Sequence, residues 1–100
     1  MIEKALFVRV EAKPGKEDEV EAFLKGALAD VQEESGTVDW FALKFGHSTF
    51  AIFDTFEGDG ARLAHLAGKV GRALIAKTPV LLAEMPKIEN AEVLAAKPLH

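Results

Sequence analysis

The chain has 100 residues, 49% of them hydrophobic, with a formal net charge of −4. It contains no cysteine, which excludes disulfides, thiolate metal ligands and cysteine nucleophiles, and it lacks the basic stripe that binds nucleic acid. No signal peptide is visible, and no run approaches the ~20 apolar residues that span a bilayer. We therefore expect one cytoplasmic domain over residues 1–100 with neither membrane nor nucleic-acid partners.

The first third of the chain predicts a strand followed by an amphipathic helix. Residues 5–12 are rich in Val, Leu and Phe and have largely apolar side chains on both faces, which is typical of a strand covered on both sides. A turn at residues 13–16 follows, where proline and glycine favour a reversal. From 16 to 34, apolar residues recur at i, i+3, i+4 and i+7, which predicts a helix ended by Gly36.

Residues 37–56 predict a β-hairpin. Residues 37–45 are dense in aromatics, and a turn at 46–48 leads into a third strand that ends at Phe56. His47 lies at the tip of this hairpin, where an exposed turn histidine is the simplest interpretation.

The last part of the chain predicts helical segments and an edge strand. A helix starts near Asp59, whose carboxylate we expect to cap it, and Gly68 and Gly71 weaken it enough to predict a kink or a split. Pro79 should interrupt it and start a last turn over 80–84. Residues 88–95 read as a partly polar fourth strand, suited to a sheet edge or to pairing with a neighbouring chain.

The predicted order is β-α-β-β-α-β, a ferredoxin-like α+β fold with a four-stranded antiparallel sheet and both helices on one face. The opposite sheet face carries Phe, Leu and Ala side chains, which is too apolar for exposure to water. We therefore predict a homodimer in which this face packs against its copy, forming a dimeric α/β barrel.

The stretch from Phe50 to His65 contains the candidate catalytic residues. Asp54 is an acidic side chain among apolar ones on a strand, and His65 follows on the next helix, where it is a candidate base near neutral pH. Two interpretations stay open: a catalytic pair, or a structural hydrogen bond. A further alternative is that Asp54 accepts hydrogen bonds from backbone N–H groups or forms an ion pair with Arg62 or Arg9.

Apolar side chains near this pair are candidates for the walls of a substrate pocket, each with a plain core role as the alternative. These candidate substrate-binding residues are Trp40, Phe56, Phe23 and Leu66. No metal site is predicted, because the three histidines (His47, His65 and His100) are far apart and lack ligand spacing. No glycine-rich phosphate loop is present either.

The chain resembles the antibiotic biosynthesis monooxygenase domain of the dimeric α/β-barrel superfamily along nearly its whole length. The motifs that carry the resemblance are Lys13-Pro14-Gly15-Lys16, Glu34-Ser35-Gly36 with Trp40, and Asp54, Phe56 and Ala64-His65. The chain departs from the family pattern at three places. Asp54 stands where the family often has Glu, Phe56 replaces a common Trp, and Val70-Gly71 replaces a second His-Phe pair.

The resemblance implies a dioxygen-dependent oxidation of polycyclic phenols or quinols that needs no metal or flavin. A branch that degrades haem uses a histidine and an asparagine at positions that look like Ile75 and Val8 here, so haem degradation is not expected. Our first hypothesis is a homodimeric, cofactor-independent monooxygenase of phenolic, quinol or polyketide-type aromatics, with His65 as base. The second is a non-catalytic small-molecule-binding or stress-related homodimer that keeps the fold.

Overall fold

A computed structural model describes residues 2–97. Within this range the chain forms four strands and three helices. The strands are β1 (Lys4–Glu11), β2 (Thr37–Phe45), β3 (Thr49–Phe56) and β4 (Lys87–Glu92). The helices are α1 (Glu17–Gln32), α2 (Asp59–Leu66) and α3 (Lys69–Leu81).

The strands make one antiparallel sheet in the order β2-β3-β1-β4. This arrangement confirms the predicted ferredoxin-like α+β fold, and it places β4 at an edge, where all six of its residues are exposed. The register sets Asp54 on β3 opposite Leu6 on one side and opposite Trp40 on the other. Because paired residues project to the same face, these three side chains form one row across the sheet.

The helices cover the face that carries this row. Leu6, Val8 and Val10 of β1 are buried there, as the alternation of β1 predicted. They pack with buried residues of β3, α1 and α3 into the main core cluster. Among the largest fully buried side chains of that cluster are Phe50, Phe56, Leu6, Val10 and Val20.

The opposite face of the sheet, which we call the open face, is aromatic. Phe53 lies between Phe7 and Phe41 in the register, and the Phe41 and Phe53 rings stack with centroids 6.4 Å apart. Phe41 and Phe45 are exposed within the single chain. Arg9 lies on the same face, with its guanidinium 5.1 Å from the centroid of the Phe45 ring.

The predicted break in the second helical segment is present. α2 ends at Leu66 and α3 begins at Lys69, so Ala67 and Gly68 form the junction. Gly71 allows the two helices to approach closely, because a Cβ built there would lie 2.3 Å from the backbone oxygen of Leu66. No helix in the described part of the chain is both long and apolar enough to span a bilayer.

Three sequence expectations about helix ends were wrong: α1 ends at Gln32 and not at residue 34, and the other two concern Pro79 and Asp59. α3 continues through Pro79 to Leu81, with Pro79 in its last turn. The Pro79 carbonyl accepts a hydrogen bond from the Lys13 ammonium. The side chain of Asp59 does not cap α2, since the N-cap is Gly58, and Asp59 instead pairs with Arg62 one turn later, at 3.0 Å.

Candidate functional site: a buried Asp–His–Glu cluster

Asp54 is a carboxylate in the core. Strand alternation directs it to the helix face together with Ile52 and Phe56, and its side chain is 0% exposed. An ionised carboxylate in such surroundings costs several kcal/mol unless a partner compensates it. The identity of that partner therefore decides what Asp54 is able to do.

His65 provides the partner. α2 crosses the sheet so that the buried imidazole lies against β3, with Nε2 2.6 Å from Asp54 Oδ2. On its other side, His65 Nδ1 lies 2.5 Å from Glu34 Oε1. The ring therefore sits between two carboxylates, and the predicted proximity of Asp54 and His65 is present in the fold.

Glu34 is the member of this cluster that the sequence analysis did not include among the site residues. The predicted helix ran through position 34, but α1 ends at Gln32, so Glu34 lies in the following turn and reaches α2. Thr37 holds it there, since the Thr37 hydroxyl donates a hydrogen bond of 2.7 Å to Glu34 Oε1. The available signal was the Glu34-Ser35-Gly36 motif, which marked the position without assigning it a role.

Burial and charge act in opposite directions on the two central groups. Burial raises the pKa of Asp54, the contact with His65 lowers it in part, and the balance is a raised pKa. For His65, burial lowers the pKa, but the contacts with Asp54 and Glu34 outweigh it, so the pKa is raised above its ordinary value.

His65 separates two spaces of different character. On the inner side is an apolar cavity of about 60 Å³ between the sheet and the helices α2 and α3. Leu66, Val70 and Leu74 are among its lining residues. On the outer side is an open groove of about 440 Å³, to which Asp30, Glu33 and Glu34 contribute carboxylates. The Phe56 ring contacts the imidazole with centroids 5.4 Å apart at 48°.

The four predicted wall residues do not all meet at this cavity. Leu66 lines it and Phe56 packs on His65, whereas Trp40 packs against the smaller core cluster of Ala27, Val31 and Val70. Phe23 of α1 packs against the main core, and the Lys77 ammonium lies 6.0 Å from its ring centroid. Phe23 is thus placed at a different part of the core from His65.

Neither arginine proposed as an alternative partner reaches Asp54. Arg62 donates to the carbonyls of Ala5 and Ala91, at 3.1 Å each, and Arg9 lies on the open face. His47 is in the hairpin turn with its side chain 84% exposed, as predicted, and His100 lies outside the described residues. Within residues 2–97 no group of three or more His, Cys, Asp or Glu is placed to hold a metal ion.

Comparison with solved structures shows where the chain belongs. It is similar to the Nitrosomonas europaea protein NE2512, whose function is unknown, at 51% identity over 100% of this chain and 97% of that one, with a TM-score of 0.97. The chain belongs to the NE2512 family. No family model matches it, and no curated protein matches it.

More distant structures share the fold of the NE2512 family. PA3566 from Pseudomonas aeruginosa has a TM-score of 0.81 at 21% identity, covering 95% of this chain and 97% of its own. A candidate antibiotic biosynthesis monooxygenase from Nitrosomonas europaea also has a TM-score of 0.81, at 14% identity, covering 92% of this chain and 90% of its own. These likenesses show that the chain shares the fold of these proteins.

Proposed function

We propose that this chain is a homodimeric, cofactor-independent monooxygenase of the antibiotic biosynthesis monooxygenase type that oxidises a small phenol or quinol. One observation carries the proposal. A fully buried carboxylate, Asp54, lies 2.6 Å from a buried imidazole, His65, next to an apolar cavity. Buried pairs with shifted pKa values are typical of acid–base sites. The fold and the sequence motifs named above support the same assignment.

The reaction requires a base and an electron-rich substrate. Deprotonation of a phenol gives a phenolate that transfers electrons to dioxygen. With hydroquinone as substrate, one oxygen atom enters the ring to give hydroxybenzoquinone and the other leaves as water. The substrate supplies all the electrons, and the two hydrogen atoms that it loses leave in that water. The task of the protein is therefore to remove a proton, to orient the ring and to exclude solvent.

The contacts favour Asp54 as the group that meets the substrate, with His65 behind it. Both nitrogens of His65 face carboxylate oxygens, so the protonated ring has no free lone pair. Oδ1 of Asp54 has no hydrogen-bond partner among the described residues, while Oδ2 faces the imidazole. The raised pKa of Asp54 makes it a stronger base, and the His65 imidazolium would offset the phenolate charge.

The size of the cavity favours a single-ring substrate over a polycyclic one. Drug-sized ligands occupy pockets of about 300–1,000 Å³, and benzene fills an engineered cavity of about 150 Å³. The cavity here is about 60 Å³, so even one ring requires α2 and α3 to move away from the sheet. Their junction at Gly68 is a natural hinge for such a movement.

The open face supports the dimer in this proposal. Phe7, Phe41 and Phe53 form a continuous aromatic row across three strands, on the side of the sheet away from the helices. Contiguous apolar surface of this kind usually marks an interface. A two-fold pairing of two open faces would bury the row against its own copy.

An oxygen-electrode assay with single-ring and fused-ring hydroquinones tests the oxygenase. We expect oxygen uptake, with one oxygen atom from labelled dioxygen in the product, and a loss of about 100-fold or more in Asp54→Asn, as for other general bases. Asp39→Asn removes a carboxylate on the open face of β2 and is the matched control. The absence of enzyme-dependent uptake with every quinol would refute the proposal.

A non-catalytic ligand-binding dimer is the second candidate. The observation that favours it is the engagement of both His65 nitrogens by carboxylates, which also suits a purely structural cluster. In that case His65→Ala would fold, dimerise and bind an aromatic ligand, with no oxygen-dependent turnover in either the variant or the wild type.

A further inference from the structure

Two buried polar atoms have no partner among residues 2–97, and both belong to one cross-strand pair. They are the indole nitrogen Nε1 of Trp40 and the carboxylate oxygen Oδ1 of Asp54, whose other oxygen, Oδ2, lies 2.6 Å from His65 Nε2. Each such atom costs about 1–3 kcal/mol when it is left unpaired in the core. Their concentration at one place in an otherwise well-paired core therefore points to a ligand.

The two residues are neighbours by register. Trp40 on β2 is paired with Asp54 on β3, and both side chains leave the sheet on the helix face. Directly opposed residues in an antiparallel ladder have Cβ atoms about 4.5–5.5 Å apart. An indole N–H donor and a carboxylate acceptor thus lie side by side, and neither satisfies the other.

We propose that Trp40 Nε1 and the Asp54 carboxylate form a hydroxyl-binding pair, in which a phenol donates its O–H to Asp54 and accepts the Trp40 N–H. This inference rests on the proposed function and adds to it the donor and the acceptor that hold the phenol hydroxyl, with a role for Trp40. Trp40 acts as a hydrogen-bond donor to the substrate oxygen. The sequence had indicated only that its ring could form a wall of the substrate pocket. As the phenol loses its proton, the same N–H would stabilise the phenolate.

The fold provides a place for the ring of such a ligand. Val70 belongs to the core cluster against which Trp40 packs and also lines the apolar cavity, while His65 lines the cavity and contacts Asp54. A ring that expands the cavity would therefore lie between α3 and the sheet, with its hydroxyl toward the Trp40–Asp54 pair. The cavity residues offer it apolar contacts from Leu6, Ile52 and Leu74.

The donor–acceptor pattern predicts which ligands are rejected. A hydroxyl both donates and accepts, so it satisfies both residues at once. A ketone accepts from Trp40 but opposes the lone pairs of Asp54, and a methyl ether does the same. An ammonium donates to Asp54 but leaves the indole N–H unpaired. Sites built to pair a hydroxyl discriminate strongly against analogues that lack it.

Trp40 itself is the probe, because the chain contains one tryptophan and no tyrosine. The wild-type protein is titrated with phenol, hydroquinone and 1,4-dimethoxybenzene under anaerobic conditions, with indole fluorescence and the indole N–H signal in NMR as readouts. We expect a saturable downfield shift of that signal with phenol and hydroquinone. We expect the dimethoxy compound to bind at least about tenfold more weakly, which corresponds to the loss of one buried hydrogen bond.

Variants separate the two partners. Asp54→Asn should remove most of the preference for hydroquinone over its dimethyl ether, whereas Asp39→Asn, on the open face, should keep it. Trp40→Phe, followed by calorimetry, should weaken the binding of both ligands and keep the preference for hydroquinone, because Asp54 still accepts a hydrogen bond only from the hydroxyl. If either core variant fails to fold, the NMR titration of the wild-type protein tests the hydroxyl-binding pair without that variant.

The outcomes are distinct from those of the oxygenase assay. Equal affinity for hydroquinone and its dimethyl ether, or an indole signal that phenol leaves unchanged at saturation, overturns the hydroxyl-binding pair even if oxygen is consumed. An indole shift with the expected preference, but without turnover, upholds the pair and refutes the oxygenase. A crystal structure with a water that bridges Trp40 and Asp54 and persists beside bound phenol also overturns the inference.

Discussion

Glu34 Oε1 and His65 Nδ1 lie 2.5 Å apart, although 31 positions separate the two residues in the chain. This contact joins the turn after α1 to the buried face of α2. It also determines that the second ring nitrogen, Nε2, is the one directed at Asp54. The orientation of the imidazole thus depends on a residue outside the core, whose side chain is 22% exposed at the edge of the outer groove.

Removal of either carboxylate should lower the pKa of His65. Burial already lowers this pKa, and the contacts with Asp54 and Glu34 are what raise it. We therefore expect Asp54→Asn and Glu34→Gln each to reduce the His65 pKa, with the larger effect from Asp54→Asn. The measurement is a pH titration of the imidazole signals by NMR, with His65→Gln used to identify the His65 signal. An unchanged His65 pKa in both variants would contradict the cluster geometry.

The stability of the protein should fall as the pH rises above neutrality. A group whose pKa is raised on folding stabilises the native state fully below its unfolded pKa, and this contribution is lost as the pH rises through the folded value. The unfolded value for histidine is 6.5, and the folded pKa of His65 is higher. The free energy of unfolding should therefore decrease from about pH 6.5 upward, by at most about 1.4 kcal/mol per pH unit for one proton.

Urea unfolding at a series of pH values measures this slope. The double variant Asp54→Asn/His65→Gln should lose it, because neither of the two raised pKa values remains. His47→Gln, in the exposed hairpin turn, should retain the wild-type slope. A wild-type slope of zero or of opposite sign between pH 6.5 and 9 would disprove the assignment.

Two glycine substitutions should have opposite effects on stability. A methyl group at Gly26, on the exposed side of α1, meets no atom within 4 Å, so Gly26→Ala should stabilise the protein by about 0.5–1 kcal/mol. At Gly71 the added Cβ would lie 2.3 Å from the Leu66 carbonyl oxygen, so Gly71→Ala should destabilise by about 1–3 kcal/mol. Thermal unfolding of the two variants compares them directly. A stable Gly71→Ala protein would contradict the close approach of α2 and α3.

A charge on the open face should weaken the proposed dimer. Phe41 is 46% exposed in the single chain and stacks on Phe53, so Phe41→Lys would place an ammonium at one end of the aromatic row. We expect the dissociation constant to rise by at least about tenfold in sedimentation equilibrium, since buried aromatic residues dominate such interfaces. Leu63→Lys, at a 66% exposed position on α2, is the control that should leave association unchanged.

Local patterns determined the element order of this chain. Three patterns depend only on neighbours a few residues away: the apolar repeat of α1, the alternation of β1 and the hairpin turn. They are therefore predictable from the sequence. The break near Gly68 was predictable for the same reason. The errors, at Pro79, at Asp59 and at the end of α1, lie at helix ends whose contacts with Lys13, Arg62 and His65 are not visible in the local pattern.

By itself, the sequence thus determined the ferredoxin-like fold, the aromatic open face, and the choice of Asp54 and His65 as the residues of interest. Only the tertiary structure decided that Glu34 completes the cluster, that both nitrogens of His65 are engaged, and that Trp40 faces Asp54 without bonding to it. The physical reason is that burial and hydrogen-bond geometry depend on distances between segments far apart in the chain. The periodicity of the sequence predicts which face of a strand or helix a side chain occupies. Only the packing of the tertiary structure shows which residues it contacts there.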